Sequence, residues 1–539
     1  MLPELDYRPA DGMFVFWLPR EHVKSGELTP QILMNEHGFD MSLRASTSHM
    51  ACLHTRDPYA AVTFLAYGTS AARQKLAALG DILESSRAKD AKITITCPAD
   101  KELWPFQRAN VAYARSRHNV LIADEPGLGK TPTAICIANE MKAKRVLVIC
   151  PASIRLQWAA RVRDWTTLPW PYTIHTVLNG KHGVHPTADW TIVSYDLART
   201  EPFVAALGKQ KFDLLILDEA HYLKSYDAKR TRTILGDKGL VHRTERVLAL
   251  TGTPLPNRPR EAYTIARALC WDAIDWASED TFRDRFNPSL LRVRSDGRTW
   301  IDERTGRHAE LQNRLRAHFM TRHLKADVMT QLKLPIYDLI QVQKTAAVKA
   351  ALKAESLLQI DPENLTGADM TILGHVSVVR KEMGLALAPQ VADYVDMLFA
   401  GGEEKLVLFG HHIEVLNILE KRLAKYGLIR VDGRTSAVQK ERRILEFIQN
   451  PQIKLALGNL LSLGTGTDGL QHVCCHALIA EPSWTPGENV QGFDRLHRGG
   501  QQRTVQGEIF VAPGSFAEKI LASALRKLRT THKALDKIW

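Results

Sequence analysis

The sequence predicts an α/β fold: two parallel-sheet lobes with helical insertions, preceded by a small N-terminal accessory domain. Three observations carry that prediction. The chain has 539 residues, more than a single hydrophobic core usually serves, so two or three domains are expected. Hydrophobic residues make up 45% and charged residues 24%, the balance of a globular chain and of neither a disordered nor a collagenous one. Short apolar runs rich in Val, Ile and Leu alternate with helical segments in two separate stretches. That is the pattern of buried parallel strands joined by crossover helices.

Residues 1–100 mix extended runs at 13–17 and 62–67 with a helical stretch over 71–85, and they hold no chemical motif. The first alternating stretch follows, with strand-like runs at 120–123, 145–150, 191–194, 214–217 and 247–250. Residues 261–400 lack strand spacing and carry helical patterns with many Arg and Lys, which reads as an insertion plus the connection between lobes. The second stretch has runs at 405–409, 428–431, 453–457, 476–480 and 507–511. Beyond it, Ile520, Leu525, Leu528, Leu535 and Ile538 share one helical face, as in a terminal helix packed across a lobe. The expected division is therefore 1–100, accessory domain; 101–335, first lobe with its insertion from about 261; 336–515, helical connection and second lobe; and 516–539, terminal helix.

Lys and Arg number 71 against 59 Asp and Glu, a net charge of +12. Residues 1–100 hold 10 basic and 12 acidic groups, so the surplus lies entirely after residue 100. A polyanion partner such as nucleic acid accounts for that surplus, and so does a solvated basic surface. The 7 cysteines include no CxxC pair, which disfavours a zinc ribbon or a disulfide framework and points to reduced thiols in buried elements. No stretch approaches the roughly 20 apolar residues that cross a bilayer. The acidic start lacks the layout of a signal peptide, so the protein is expected to stay inside the cell, with no membrane partner.

The chemistry begins directly after the run at 120–123, with Asp124-Glu125-Pro126-Gly127-Leu128-Gly129-Lys130-Thr131 and then a helical segment. Glycines let the backbone curl so that successive N–H groups face phosphate oxygens, Lys130 supplies a cation for the β and γ groups, and Thr131 offers Mg²⁺ a hydroxyl. Asp124 stands where the full P-loop pattern has its first Gly. Pro132 suits a first helical turn, where its missing N–H would have no partner. Downstream, Leu214-Leu215-Ile216-Leu217-Asp218-Glu219-Ala220-His221 delivers two carboxylates at the end of an apolar strand. There Asp218 can hold Mg²⁺ through water, and Glu219 can orient and deprotonate an attacking water. Far downstream, Arg495 and Arg498 stand three apart within Gln491-Gly492-Phe493-Asp494-Arg495-Leu496-His497-Arg498-Gly499-Gly500-Gln501. On a helix that spacing puts both guanidinium groups on one side, where they could reach a γ-phosphate together. Two surface salt-bridging arginines would share the spacing.

This ordered set resembles the Swi/Snf-type branch of helicase superfamily 2, ATP-driven motors on double-stranded DNA, over about residues 103–505. Trp104-Pro105-Phe106-Gln107 is similar to the adenine-reading segment, with Gln107 in the hydrogen-bonding place. Residues 123–131 resemble motif I, with Pro126 in place of Met. Cys150-Pro151-Ala152-Ser153 with Trp158 resembles motif Ia, Ser194-Tyr195 motif Ib, Asp218 to His221 motif II, and Thr251-Gly252-Thr253-Pro254 motif III. Finer wording is similar to the annealing-helicase, fork-remodelling subgroup: Phe409-Gly410-His411-His412, 430–436, Arg258-Pro259 before Glu261-Ala262-Tyr263, 323–328, and Gly384-Leu385-Ala386 with Asp393-Tyr394. Two further positions depart from the pattern. Gln471 stands where motif V has Asn, which puts the DNA-side coupling of the second lobe in question, and Gly499 stands where motif VI prefers Ile.

The resemblance implies two RecA-like lobes whose cleft closes around ATP and Mg²⁺. It implies a nucleotide site at Gln107, Asp124, Glu125, Gly127, Leu128, Gly129, Lys130 and Thr131, with Mg²⁺ held by Thr131 and, through water, Asp218. Catalytic roles fall on Lys130, Asp218, Glu219, Arg495 and Arg498. Short polar groups at strand ends can meet a nucleic-acid backbone without reading bases, so Ser153, Arg155, Ser194, Tyr195, Ser462, Thr465 and Thr467 are the expected DNA-facing positions. The cluster Lys229, Arg230, Arg232, Arg243 and Arg246 fits a DNA flank or a solvated helical surface equally. The implied activity is ATP-dependent translocation by a monomeric motor on double-stranded, branched or forked DNA, coupled to remodelling or strand annealing. A strand-separating helicase on DNA or RNA is one alternative, although other branches of the superfamily resemble QRxGRxGR at motif VI. A non-catalytic nucleic-acid scaffold is the other, opposed by retention of Lys130, Asp218, Glu219, Arg495 and Arg498. Compactness and the lack of chromatin-reading modules suggest the cytoplasm of a bacterial or phage-infected cell, with a nucleus as the alternative.

Overall fold

The computed structural model describes residues 2–23, 28–181, 183–254, 259–274, 276–293, 299–303, 306–357, 370–464, 467–483, 486–519 and 521. The chain opens on four antiparallel strands, β1 (Glu4–Arg8), β2 (Met13–Pro19), β3 (Asp40–Met41) and β4 (Met50–Thr55), in the order β1-β2-β4-β3. Helix Ser70–Arg87, capped by the Thr69 hydroxyl on the Ala72 N–H, buries Ala72, Leu76 and Leu83 in one cluster with Phe14, Phe16 and Leu53. The run at 62–67, expected to be extended, is instead the 3-10 helix Val62–Tyr67. A six-residue apolar run carries too little periodicity to separate the two outcomes.

Lobe 1 is a seven-stranded parallel sheet built from β5 (Val120–Ile122), β6 (Val146–Cys150), β7 (Ile174–Thr176), β8 (Trp190–Ser194), β9 (Phe212–Asp218) and β10 (Thr244–Leu250), with one later strand on its edge. β5, β6 and β8 are buried along their whole length, which is why they read as unbroken apolar runs rather than alternating ones. Pairing sets Ile122, Leu250 and Asp218 level across three neighbouring strands. The loops after β5, β10 and β9 therefore leave from one edge, the carboxyl edge at which α/β sheets bind ligands.

Residues 261–400 were expected to be helical, and helices Ala262–Leu269, Glu279–Phe286, His308–His318, Ala346–Leu357 and Met370–Ala400 lie there. Strands interrupt them. A hairpin of β11 (Ser289–Val293) and β12 (Thr299–Glu303) stands apart, β13 (Met320–Thr321) pairs with β5 at the lobe 1 edge, and β14 (Ile336–Gln341) joins lobe 2. A two-residue strand and a strand exposed on both faces carry no hydrophobic signature, so partners rather than propensity decide them. Helix His308–His318 also docks the N-terminal domain. Arg285 and Arg314 clasp Asp57 and the fully buried Glu310 at 2.5–3.0 Å.

Lobe 2 is a six-stranded parallel sheet, order β14-β19-β18-β15-β17-β16, with β15 at Leu406–Gly410, β16 at Leu428–Val431, β17 at Leu455–Asn459, β18 at His476–Ile479 and β19 at Gln506–Val511. All seven cysteines are free thiols. Among the described residues no helix is long and apolar enough to cross a membrane. The expected terminal helix lies, at Ile520 and from residue 522 onward, outside the described residues.

Candidate active site between the lobes

The loop after β5 turns at Gly127 (φ 88°) and Gly129 (φ 70°), the second serving as N-cap of helix Lys130–Glu140. Both angles lie in the left-handed region that glycine enters without steric cost. The Lys130 ammonium donates to the carbonyls of Asp124 (2.7 Å) and Glu125 (3.1 Å) and so sits inside the curl of its own loop. Burial pulls its pKa down, against Glu219, Asp124 and Asp218. Thr131 lines the same cavity, and Leu128 is buried against Phe106 and Met329.

Three expected nucleotide contacts are committed elsewhere. The Gln107 amide donates to the carbonyls of Leu128 (3.0 Å) and Gly129 (3.2 Å) and accepts from the Trp104 N–H (2.9 Å), so it shapes the loop while still lining the cavity. The Asp124 carboxylate faces inward, accepting from Asn110 (2.6 Å) and from the backbone N–H and Nδ1 of His323 (2.9 Å each). Glu125 Oε2 accepts from the Lys325 N–H at 2.6 Å. Both acidic residues hydrogen-bond Lys130 through their carbonyls, while their carboxylates accept from other donors.

At the end of β9, Asp218 accepts from Trp158 Nε1 (2.7 Å) and from the Glu219 N–H (2.9 Å), and its carbonyl accepts from the Tyr195 hydroxyl (2.9 Å). Glu219 adopts φ 54°, a left-handed conformation that costs a non-glycine residue roughly 1–2 kcal/mol and turns its side chain back across the strand end. His221 Nδ1 lies 3.3 Å from Glu219 Oε2 and 3.1 Å from Thr251 Oγ1. Burial, and then the neighbouring Glu219, pushes Asp218 upward. Burial would raise Glu219 as well, but His221, Lys130 and Arg495 hold it below the ordinary carboxylate range. The Trp158 indole as the fixing partner of Asp218 was not legible beforehand, because nothing in the spacing of 60 residues announces it.

Lobe 2 supplies the other wall. Helix Pro486–Phe493 ends before Arg495 and Arg498, so the two do not share a helix face as expected; they lie in the turn that follows. They converge nonetheless, each tied back by Nε to the carbonyl four residues earlier, Gln491 (3.2 Å) and Asp494 (3.1 Å). One cavity of about 670 Å³ is lined by Lys130, Thr131, Asp218 and Glu219 from lobe 1 and by Arg495 and Arg498 from lobe 2. Burial, and then the neighbouring Arg498, pushes Arg495 down to about 10. Gln471 and Gly499 line this cavity too. The motif V departure thus sits on the nucleotide side, with Gln471 Nε2 donating to Asp468 at 3.1 Å.

The seam is close. A Cβ at Gly127 would lie 2.7 Å from Arg498 Cβ, and two ion pairs cross between lobes, Lys325 with Asp494 and Arg161 with Asp468 (2.7 Å). Gly127→Ala adds that clash to a left-handed penalty of roughly 1–2 kcal/mol. Steady-state ATP turnover of this variant is expected to fall at least about tenfold, the factor that about 1.4 kcal/mol on the barrier produces, and unchanged turnover would mean that the lobes need not approach this closely during the cycle.

The expected DNA-facing residues divide. Ser153 and Ser462 are half-buried and line, from opposite lobes, a second interlobe cavity of about 370 Å³. Four others spend their polar groups internally. Arg155 donates to the carbonyls of Ala152 (2.9 Å) and Val177, and Ser194 caps helix Tyr195–Ala198. Tyr195 is bound to the Asp218 carbonyl, and Thr467 donates to the Leu463 carbonyl at 2.5 Å. Strand ends leave backbone groups unpaired, and the nearest short polar side chains satisfy them first. Thr465 and Arg258 lie outside the described residues. In the basic cluster, Arg246 donates to the carbonyls of Ala114 (2.7 Å), Arg117 and His118 (2.8 Å), and Arg230 lies 3.5 Å from Asp196, so both side chains are tethered to lobe 1.

Comparison with known proteins adds the family. A family described as "SNF2-related domain" matches residues 41–381. "DNA annealing helicase and endonuclease ZRANB3" of Mus musculus is 30% identical over 445 residues, which is 81% of this chain and 41% of that protein. "SWI/SNF-related matrix-associated actin-dependent regulator of chromatin subfamily A-like protein 1" of Bos taurus is 30% identical over 482 residues, 86% of this chain and 47% of that protein. A solved "SWI2/SNF2 ATPase core in complex with dsDNA" of Sulfolobus solfataricus is 17% identical, over 81% of this chain and 97% of that one, with a TM-score of 0.38. The chain spans about two fifths of the length of the curated relatives it matches first. These relatives correct the expected setting. Cattle, mouse, human, frog, fly and worm proteins match, which overturns the bacterial or phage cytoplasm inferred from compactness and missing modules. Compactness describes the part of the sequence at hand and is silent on its source.

Proposed function

This chain belongs to the SNF2-related domain family, and on that premise we propose that it is a DNA-dependent ATPase that moves along double-stranded or branched DNA and couples ATP hydrolysis to remodelling or strand annealing. The observation that carries the proposal is the single cavity lined by Lys130, Asp218 and Glu219 from one lobe and Arg495 and Arg498 from the other. In this reading the loop at 124–131 receives the phosphates, Glu219 takes a proton from the attacking water, and the two guanidinium groups meet the charge that builds on the transferring phosphoryl group. Hydrolysis then requires both lobes in contact, and losing the phosphate loosens them. Both halves of the site lie on one chain, so a monomer suffices.

The residues present fit Mg²⁺. Thr131 and Asp218 both face the cavity, a hydroxyl and a carboxylate, so the donor set is hard oxygen. Bound there by Thr131 and Asp218, the ion would neutralise phosphate charge. Ser153 and Ser462, on opposite lobes across the second cavity, are the positions we assign to backbone phosphates, so that each closure shifts one grip relative to the other.

The test is the ATPase rate with single-stranded, duplex and forked DNA and with RNA, side by side. Duplex or forked DNA is expected to stimulate turnover most strongly, with an affinity that falls steeply as salt rises because several phosphates are neutralised. A rate indifferent to every nucleic acid, or stimulated by RNA alone, would remove the proposal.

A further inference from the structure

Asp468 belongs to none of the motif residues expected to act, yet its carboxylate joins the two lobes at the mouth of the nucleotide cavity. Its Oδ2 lies 2.7 Å from Nη2 of Arg161, on lobe 1 helix Arg155–Trp165, and its Oδ1 accepts from Nη1 of Arg498 at 3.1 Å. Oδ1 also accepts from the Gly469 N–H (3.0 Å) and from Gln471 Nε2 (3.1 Å), which pins that one oxygen and leaves Oδ2 for Arg161 to hold. Arg498 is held at three points, with Nε on the Asp494 carbonyl and Nη1 on both Asp468 and the Thr467 carbonyl (3.3 Å). Three such contacts define the plane of a rigid guanidinium fork. Arg161 has a second partner on its own helix, Asp164 at 3.4 Å, to which it can revert when the lobes part.

We infer that Asp468 is a closure-sensing positioning residue: when lobe 1 seats, Arg161 engages the far oxygen of the carboxylate whose near oxygen orients Arg498, so the finger is aimed only in the closed state. The inference rests on the proposed ATPase reading and extends it to how closure is reported. Side chains of Arg161 and Asp468 remain 43% and 39% exposed, and so open a pair forms and breaks readily. That suits a contact remade in every cycle.

The test is a double-mutant cycle in the full chain on DNA-stimulated ATP hydrolysis, with Arg161→Ala, Asp468→Asn and both together. A finger displaced by about an ångström costs on the order of 10²-fold, so Asp468→Asn is expected to lower kcat between about tenfold and 10²-fold with little change in the KM for ATP. Arg161→Ala should lower kcat by a smaller factor, Arg161→Lys should restore part of it, and in the Asp468→Asn background the removal of Arg161 should have no further effect. Multiplicative effects, an Arg161→Ala kcat equal to the parent, or a rise in KM with kcat intact would each overturn the inference. Arg498→Ala run alongside separates the two failures. A dead Arg498→Ala with an intact Asp468→Asn sinks only this inference, whereas an active Arg498→Ala sinks the ATPase reading beneath it.

Discussion

Glu219→Gln should bind ATP as the parent does and hydrolyse it about 10²- to 10⁴-fold more slowly, the usual contribution of a positioned general base. The substitution keeps the side-chain volume and the backbone turn at φ 54°, and it leaves untouched the loop carbonyls that hold Lys130, so the phosphate cradle survives. What goes is the negative charge. His221, Lys130 and Arg495 keep Glu219 ionised despite its burial, and an amide at that position cannot take a proton from water. The check is a pair of measurements on one preparation: nucleotide binding by titration, and single-turnover hydrolysis with duplex DNA present. Binding retained with hydrolysis lost is the expected pair, and hydrolysis at the parent rate would strike Glu219 from the mechanism. His221 supplies an internal comparison, because its removal should weaken hydrolysis less than the amide does if it merely supports the carboxylate.

How much of this site could be read from the chain depended on whether chemistry or packing chose each residue. The loop at 124–131 and the pair Asp218-Glu219 were legible because an apolar strand followed by a glycine-bearing turn or by adjacent carboxylates permits few other uses, and the register that levels Ile122, Leu250 and Asp218 places both at one edge. Arg495 and Arg498 were found by spacing, although the helix invoked to bring them together stops at Phe493. The strands β13 and β14 were missed because one is too short and the other too exposed to leave a hydrophobic trace. Arg155, Ser194, Tyr195 and Thr467 show a related ambiguity: their polar groups have internal partners, while Arg155 and Tyr195 still line the cavity that holds Ser153 and Ser462. A short polar residue at a strand end looks the same in sequence whether it faces solvent or satisfies a neighbouring carbonyl, and here it satisfies the carbonyl or caps a helix. Asp468, Trp158 and Lys325 act through partners 30 to 307 residues away, distances at which one sequence carries no pairing signal.

Arg498→Ala should leave ATP affinity close to the parent and lower DNA-stimulated turnover by about 10³-fold or more, the scale on which a finger arginine acts. The seam itself should survive, because the contact that Gly127 makes room for is the Cβ of residue 498, which alanine retains, and because Lys325 still meets Asp494 across the lobes. The loss is therefore electrostatic, a guanidinium withdrawn from a cavity that also holds Lys130, Asp218 and Glu219. Arg495 does not replace it. That side chain keeps its own Nε bond to the Gln491 carbonyl, whereas the tie to the Asp468 carboxylate belongs to Arg498. Arg498→Lys should recover little of the rate, since an ammonium cannot present the planar fork. The deciding comparison sets kcat for ATP against duplex-DNA affinity in the same variant. A fall in kcat with DNA affinity intact is the expected result. A variant that hydrolyses ATP normally and releases DNA would place Arg498 on the nucleic-acid path and leave Arg495 to carry the charge of the transition state alone.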